Sequence, residues 1–413
     1  MEHLSNLTLY GTFFISLYFE VFLLINFLEK RAAFQSEELK SPHIFPSVTV
    51  IVPVFNEEKT VNKTVFSLLK LDYPKDKLKI IIVDDGSTDG TTEIIKRFRH
   101  NRRIEIIRKK NGGKYTALNC GLARASSELV GCLDADSFVL PDALKKIVTY
   151  FESASTMAVT PAIKIHRPDS FIRHMQSNEY NLGIFMKKAF SILEAITVTP
   201  GPFSIFRKKV FDDLGPFREA HHTEDLEIAM RMQKNFYRIR NAHNALVYTI
   251  GPGSLRKLYR QRVRWIHGFL RNTLDYRAVF FKRQYGHLGF FMLPMAILSI
   301  FLFFASIGVM CLNSLGALRQ KIIEIQSVGW HWPWHGFHFD WFFLNTDSKI
   351  FLSVVLFAST VILIMYGRKI SEKKTGGLSI HTLYFPFIYA LLSILWLSRA
   401  VYATALSKET GWR

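Results

Sequence analysis

Cysteine is scarce in this chain, acidic residues are outnumbered, and the glycine-rich phosphate fingerprints are missing. The 413 residues include 3 cysteines, Cys120, Cys132 and Cys311. None stands at a metal-ligand spacing, and the first two are expected as free thiols in a reducing compartment rather than as a disulfide. Neither Gly-x-x-x-x-Gly-Lys-Ser/Thr nor Gly-x-Gly-x-x-Gly occurs, which counts against a P-loop nucleotidase and a dinucleotide dehydrogenase. Lys and Arg number 53 against 34 Asp and Glu, a formal charge of +19. The cations are spread along the chain, and no zinc finger or helix-turn-helix pattern accompanies them, so no nucleic acid partner is expected. An anionic membrane leaflet and an anionic nucleotide substrate account for the same excess.

Long apolar runs are also absent between Lys30 and Gln284, and they crowd the two ends instead. Leu7 to Leu28 is long enough to cross about 30 Å of hydrocarbon. It lacks a basic flank before it and an Ala-x-Ala-like site after it, so a retained anchor is expected rather than a removed signal peptide. Leu288 to Leu312, Ile350 to Tyr366 and Leu383 to Leu406 are the other candidate spans. Lys30 and Arg31, Lys282 and Arg283, and Arg368, Lys369, Lys373 and Lys374 all fall on one side if the chain crosses four times. By the positive-inside bias that side is cytoplasmic, with the 313 to 349 loop outside. A charge such as Glu20 at the centre of a span costs roughly 2.5 to 3.5 kcal/mol unless paired or wet. It is therefore expected to face the helix bundle or a translocation path, with Arg399 as a conceivable partner or a snorkelling side chain.

The region between the spans alternates. After a polar, Pro-containing connector, 35 to 46, Val48 to Val54 reads as a buried strand and Lys59 to Leu69 as an amphipathic helix. Strand Leu78 to Val83, helix Thr91 to Arg99, strand Ile104 to Arg108, helix Thr116 to Ala125 and strand Leu129 to Leu133 follow. That alternation predicts a doubly wound, mostly parallel sheet, with ligands outside the carboxyl ends of its strands. Beyond Ala143 the pattern loosens. Met157 to Ile165 reads as a strand, and Ser170 to Ala189 as a helix that either rests on a membrane surface or packs on the sheet.

Polar clusters follow the strands. Asp134 and Asp136 share a face if the strand continues through them, and such a doubly negative corner suits Mg²⁺ or Mn²⁺ shared with substrate phosphates; a solvated turn is the plainer reading. Asp84 and Asp85 could accept from a base or ribose, and Lys114, after two glycines and before a helix, is placed to meet an anion. Pro200-Gly201-Pro202 suits a surface that a ligand approaches closely. Thr223-Glu224-Asp225 opens a helix, where capping explains the acids and a general base is the functional alternative. His221 and His222 are adjacent, a poor spacing for metal ligands. From 254 to 271 a basic amphipathic helix suits anionic lipid, while Arg264 beside Trp265 offers a diphosphate clamp next to a stacking surface for a sugar ring.

Taken together, Val-Pro-Val-Phe-Asn-Glu (52 to 57), Asp-Asp-Gly-Ser (84 to 87), Asn-Gly-Gly-Lys (111 to 114), Asp-Ala-Asp (134 to 136), Thr-Glu-Asp (223 to 225) and Gln-Arg-Val-Arg-Trp (261 to 265) resemble the membrane-bound, processive family 2 glycosyltransferases. That group includes poly-N-acetylglucosamine, hyaluronan, chitin and cellulose synthases. The resemblance implies a GT-A-type α/β fold, a doubly wound mixed sheet with flanking transmembrane and interfacial helices. It implies an anchor (1–30), a cytoplasmic transferase domain (45–250), an interfacial segment (251–284) and a C-terminal membrane region of about three spans (285–413). It implies inverting, metal-dependent transfer from a UDP-sugar, best read as polymerisation of UDP-N-acetylglucosamine with export of the β-linked product.

By the same resemblance Pro53, Glu57, Asp84, Asp85, Lys114 and Asp134 would bind the nucleotide sugar and Asp136 the Mg²⁺ or Mn²⁺. Asp225, with Glu224, would supply the base, and Gln261, Arg264 and Trp265 would close over diphosphate and acceptor. The implied partners are a UDP-sugar donor, a growing glycan or lipid acceptor, membrane lipids and a small accessory membrane subunit; the implied location is the plasma membrane. Two alternatives stand beside this reading: single addition to a polyprenyl-phosphate or other lipid acceptor, and a non-catalytic membrane scaffold.

Overall fold

The computed structural model describes residues 2–30, 42–329, 348–372 and 378–406. Arg31, Lys373, Lys374 and most of the 35 to 46 connector lie outside them. Twelve α-helices and eight strands are described. In chain order they run α1 (Glu2–Glu29), β1 (Val48–Val54), α2 (Val61–Leu69), β2 (Leu78–Asp84), α3 (Thr91–Lys96), β3 (Ile104–Arg108), α4 (Lys114–Arg124), β4 (Leu129–Cys132) and β5 (Ser137–Val139). Then follow α5 (Ala143–Val148), β6 (Thr156–Ile165), α6 (Phe171–Ile192), β7 (Ile205–Arg207), α7 (Lys209–Leu214), α8 (Glu224–Lys234), β8 (Arg238–Thr249), α9 (Leu255–Asp275), α10 (Leu293–Val328), α11 (Ser348–Ser371) and α12 (Ile380–Ala405).

The strands form one sheet in the order β3-β2-β1-β4-β7-β6-β8-β5. β1, β2, β3 and β4 are parallel; β7 then runs antiparallel to both β4 and β6. This is the mixed GT-A-type sheet, with the strand order reversing at β1 and β4. Val50, Val52, Ile80 and Ile82 pack on one face, while Ile51, Ile81 and Val83 pack on the other. A strand covered on both sides needs no polar alternation, which is why β1 and β2 read as continuous apolar runs.

β8 was not anticipated: its sequence, Arg-Ile-Arg-Asn-Ala-His-Asn-Ala-Leu-Val-Tyr-Thr, carries too many polar residues. One of them is accommodated by bonds inside the sheet. Asn241, buried in β8, donates through Nδ2 to the Thr160 carbonyl of β6 at 3.2 Å and to Thr160 Oγ1 at 3.0 Å.

Four helices are long and apolar enough to cross a membrane: Ser5–Glu29, Leu288–Val328, Ser348–Ser371 and Ile380–Ala405. The second is a correction, because residues 313–328, expected in an outer loop, continue the helix. Glu20 faces the bundle, accepting from Thr360 Oγ1 at 2.9 Å and from the Ser359 hydroxyl on α11. Arg399 instead lies over the Tyr402 ring.

Helix α6 reconciles the two readings of its sequence, for it packs on β6 and β8 and also against α1, α11 and α12. Its Phe185 is fully buried against Phe27 of α1, ring centroids 5.2 Å apart. Burying a phenylalanine stabilises by about 1.5–3 kcal/mol. Leu226 and Met230 of α8 belong to the same apolar cluster. The helix that carries Asp225 is thereby seated on the membrane region.

Candidate active site

A cavity of about 520 Å³ opens where the sheet order reverses, between the ends of β4, α6, α8 and α9. Gly112, Lys114, Asp134, Asp136, Glu224, Asp225, Gln261, Arg264 and Trp265 all line it. β4 ends at Cys132, two residues before Asp134, so both acids lie in a turn closed by Ser137 N–H on the Asp134 carbonyl at 3.0 Å. The turn sends both carboxylates to the cavity while Ala135 between them is buried.

Lys114 begins α4. Its Nζ lies 2.7 Å from Asp134 Oδ1 and 3.2 Å from Glu224 Oε1, tying the end of β4 to the start of α8. Burial alone would lower its pKa, but Asp134, Glu224 and Asp225 together hold it well above the usual lysine value, so it stays charged. Gly201 closes one side of this pair. A Cβ there would stand 2.6 Å from both Asp134 oxygens and 2.6 Å from Lys114 Nζ. The close approach inferred from Pro-Gly-Pro is therefore to the Lys114–Asp134 pair itself.

The acids are electrostatically loaded. Burial, then the charges of Asp134 and Glu57, push Asp136 up to about 7, against a hydrogen bond from the Ser137 hydroxyl at 3.0 Å. Burial and Glu224 push Asp225 up to about 6, with Lys114 and Arg264 pulling the other way. Asp225 Oδ1 accepts from Leu226 N–H at 2.9 Å, and its carbonyl accepts from Thr199 N–H and Oγ1 at 3.0 and 2.9 Å. Thr199 thus holds its backbone carbonyl, and the Leu226 N–H holds its carboxylate.

Helix α9 contributes Gln261, Arg264 and Trp265. Between them Arg262 turns inward and is buried. It donates through Nη1 to Gln261 Oε1 at 2.7 Å, through Nε to the Tyr389 hydroxyl of α12 at 2.9 Å, and to Glu179 of α6, while its guanidinium carbon stands 4.3 Å from the Trp265 ring centroid. Burial opposes its charge and Glu179 restores it, with a net upward shift.

Other expected site residues sit differently. Asp84 is fully buried and its oxygens serve its own loop, accepting from Ser87 N–H at 2.8 Å and Thr92 Oγ1 at 2.7 Å. Asp85, also buried, accepts from Gly113 N–H at 2.9 Å, Gly112 N–H at 3.2 Å and Lys109 Nζ at 2.6 Å, which shapes the loop before Lys114. Pro53 is a strand residue paired with Val83, and Glu57 accepts from Thr60 Oγ1 at 2.8 Å. None of these four lines the cavity. His221 pairs with Asp275 at 3.0 Å, and among the described residues no group of three or more His, Cys, Asp and Glu converges as a metal cage. All three cysteines are free, and burial pushes the Cys132 thiol up to about 12.

The sequence assigns no site role to Tyr180, Gly183 and Lys187 of α6, which line the cavity. Their i, i+3, i+7 spacing was the available signal. Burial lowers Lys187 to about 8, against the pull of Asp225.

Residues 49–215 match the family described as Glycosyl transferase family 2. Poly-beta-1,6-N-acetyl-D-glucosamine synthase of Staphylococcus epidermidis is 33% identical over 271 residues, 64% of this chain and 65% of that protein. Its counterpart in Staphylococcus aureus is 30% identical over 270 residues, with the same 64% and 65% shares. The match therefore spans just under two thirds of the length of these curated relatives. Among solved structures, the mannosyltransferase PcManGT from Pyrobaculum calidifontis, in complex with GDP-Man and Mn²⁺, superimposes over 99% of both chains with a TM-score of 0.66 at 18% identity, a likeness of fold.

Proposed function

We propose that this chain is a family 2 glycosyltransferase that polymerises N-acetylglucosamine from UDP-N-acetylglucosamine into a β-linked polysaccharide at the plasma membrane. The observation that carries the proposal is the convergence of Lys114, Asp134, Asp136, Asp225, Arg264 and Trp265 on one cavity. The choice of sugar rests on the activity named for the staphylococcal relatives.

In the proposed reaction the Asp225 carboxylate takes the proton of the acceptor hydroxyl as that oxygen attacks the anomeric carbon. The carbon–oxygen bond to UDP breaks with inversion, and the electron pair leaves on the β-phosphate. One base is then enough. Arg264, whose planar fork suits a phosphate, and Lys114 offset the charge that develops on the leaving diphosphate. Trp265 offers its face to the acceptor ring, and Gln261 is held toward the cavity by Arg262. Gln261, Arg264 and Trp265 thus act on substrate from one helix.

The donor set fits a divalent cation. Asp134 and Asp136 would hold Mg²⁺ or Mn²⁺, because two oxygen-bearing side chains are what such an ion takes when diphosphate oxygens complete its shell. Burial, and after it the charges of Asp134 and Glu57, raise the Asp136 carboxyl, and a cation there would offset both effects. When bound, the metal supplies Lewis-acid stabilisation of the leaving diphosphate.

Orientation follows the same reading. Lys30, Lys282, Arg283, Arg368 and Lys369 stand at the ends of the apolar helices that meet the folded domain, which supports a cytoplasmic active site and outward export of the product.

The test is UDP release by the detergent-purified full chain with Mg²⁺ or Mn²⁺, offered UDP-N-acetylglucosamine, UDP-glucose and UDP-glucuronate in turn, with products sized. A long product from the first donor, lost in Asp225→Asn, is expected. UDP release without polymer would replace polymerisation by single addition, and no release from any donor would sink catalysis by this chain alone.

A further inference from the structure

A second cavity, of about 630 Å³, lies away from the reaction site, where β6 and the start of α6 meet the end of α11 and the start of α12. Lys164, His166, Arg167, His174, Arg368 and His381 line it. Among the described residues its acidic lining side chain is Glu372, and that carboxylate is engaged by Lys164 at 2.7 Å. His174 and His381 stack in parallel, ring centroids 4.0 Å apart and 5° between planes, which joins α6 to α12.

Position and charge together identify what would enter. Arg368 is in the last turn of one membrane helix and His381 in the first turn of the next, so the cavity sits at headgroup depth. We propose that it is a binding site for a phosphate-bearing anion at the membrane face, held by Arg167, Arg368 and Lys164.

Burial first, and neighbouring cations second, disfavour the charged forms of the groups around the cavity. Burial, then Lys63 and Arg167, hold His166 below the usual histidine range. Burial and Arg167 lower Lys63, which lies 2.9 Å from His166 Nε2. Burial lowers Lys164 with Arg368 adding to the effect, even though Glu372 opposes both. An anion in the cavity relieves this crowding, and arginine forks bind phosphate with two bonds at once. An anionic phospholipid headgroup and a soluble organic phosphate offer the same chemistry. Because α6, α11 and α12 all border the cavity, an occupant would brace the folded domain against the membrane helices. The inference stands apart from the transferase reading, since it uses none of the residues assigned to the reaction.

The experiment is the thermal midpoint of the detergent-solubilised full chain titrated with phosphatidylglycerol, phosphatidylcholine, and glycerol phosphate as the soluble probe. A saturable rise with phosphatidylglycerol and none with phosphatidylcholine is expected, with half-saturation weakened roughly tenfold in Arg167→Gln, the loss of one charge-assisted contact. Arg368→Gln provides the second variant, in case the first alters folding. An equal rise with glycerol phosphate, lost in the same variants, would support the site and assign it to a soluble phosphate. No rise with either phosphate, or a rise undiminished in both variants, would overturn the proposal.

Discussion

Gly268 of α9 lies directly against Thr223, the residue before Glu224 and Asp225. A methyl group at 268 would stand 2.3 Å from the Thr223 hydroxyl oxygen and 2.4 Å from its methyl carbon. One turn further on, Asn272 donates through Nδ2 to the same hydroxyl at 2.9 Å. The helix that presents Arg264 and Trp265 is thus registered against the segment that presents the base.

Gly268→Ala is therefore expected to keep the fold and lose turnover. A displacement of about 1 Å at the reacting groups costs on the order of 100-fold in rate. UDP release measured beside the thermal midpoint checks it; unchanged turnover would mean that the contact does not position Asp225.

The pH dependence follows from Asp225. A base must be ionised to accept a proton, and Asp225 is pushed up to about 6. The kcat/KM for the donor should rise about tenfold per unit below that value and level off above it. Asp225→Asn should lower kcat by roughly 100- to 10,000-fold and remove this limb of the profile.

Stability should run the opposite way. Asp225 and Asp136 have folded-state pKa values of about 6 and about 7, above the ordinary 3.8. The folded chain binds these protons more tightly than the unfolded one, so their contribution to stability falls as pH rises from about 4 to about 7. A bound cation would offset that loss. The rise in thermal midpoint on adding Mn²⁺ should be larger at about pH 8 than at about pH 5.5, and Asp136→Asn should abolish the difference.

Gly367 in α11 is the contact point with α6. A Cβ there would stand 1.8 Å from the Asn181 carbonyl oxygen, which cannot yield without backbone movement. Gly367→Ala should destabilise the full chain by about 1–3 kcal/mol or more, read as a lower thermal midpoint in detergent. An unchanged midpoint would show that α6 and α11 are not packed this closely.

Arg262 is the buried link between Gln261, Glu179 and Tyr389. Replacing it with Met leaves Glu179, partly exposed in the cavity, without its cation, a loss of about 1–3 kcal/mol. The double variant Arg262→Met with Glu179→Leu should recover stability but not activity. Unfolding midpoints of both variants beside UDP release decide the point.

The local elements were legible because each is set by neighbours in sequence. Val48 to Val54 and Leu78 to Val83 read as buried strands from their apolar runs, the second running one residue further to Asp84, and Lys114 fell at a helix start because two glycines precede it. Thr223-Glu224-Asp225 was visible as a helix opening for the same reason. β8 was not, since its polar run does not read as a strand and the bonds that accommodate Asn241 come from Thr160 and Pro161 on another strand. The continuation of α10 past Leu312 was missed because its later turns carry polar residues that a soluble helix tolerates.

What the sequence determined by itself was the alternation of strands and helices, the long apolar helices at either end, and the chemical types at the strand ends, because periodicity and residue chemistry are local properties. Tertiary structure decided which carboxylates meet. Asp84 was drawn into its own loop, whereas Asp134, Glu224 and Lys114, separated by long stretches of chain, came within 2.7 and 3.2 Å. It also decided that Arg262 turns inward while Arg264 faces the cavity. The physical reason is that a side chain's role depends on the charges and burial around it, and those are supplied by elements whose approach is fixed only when the whole chain packs.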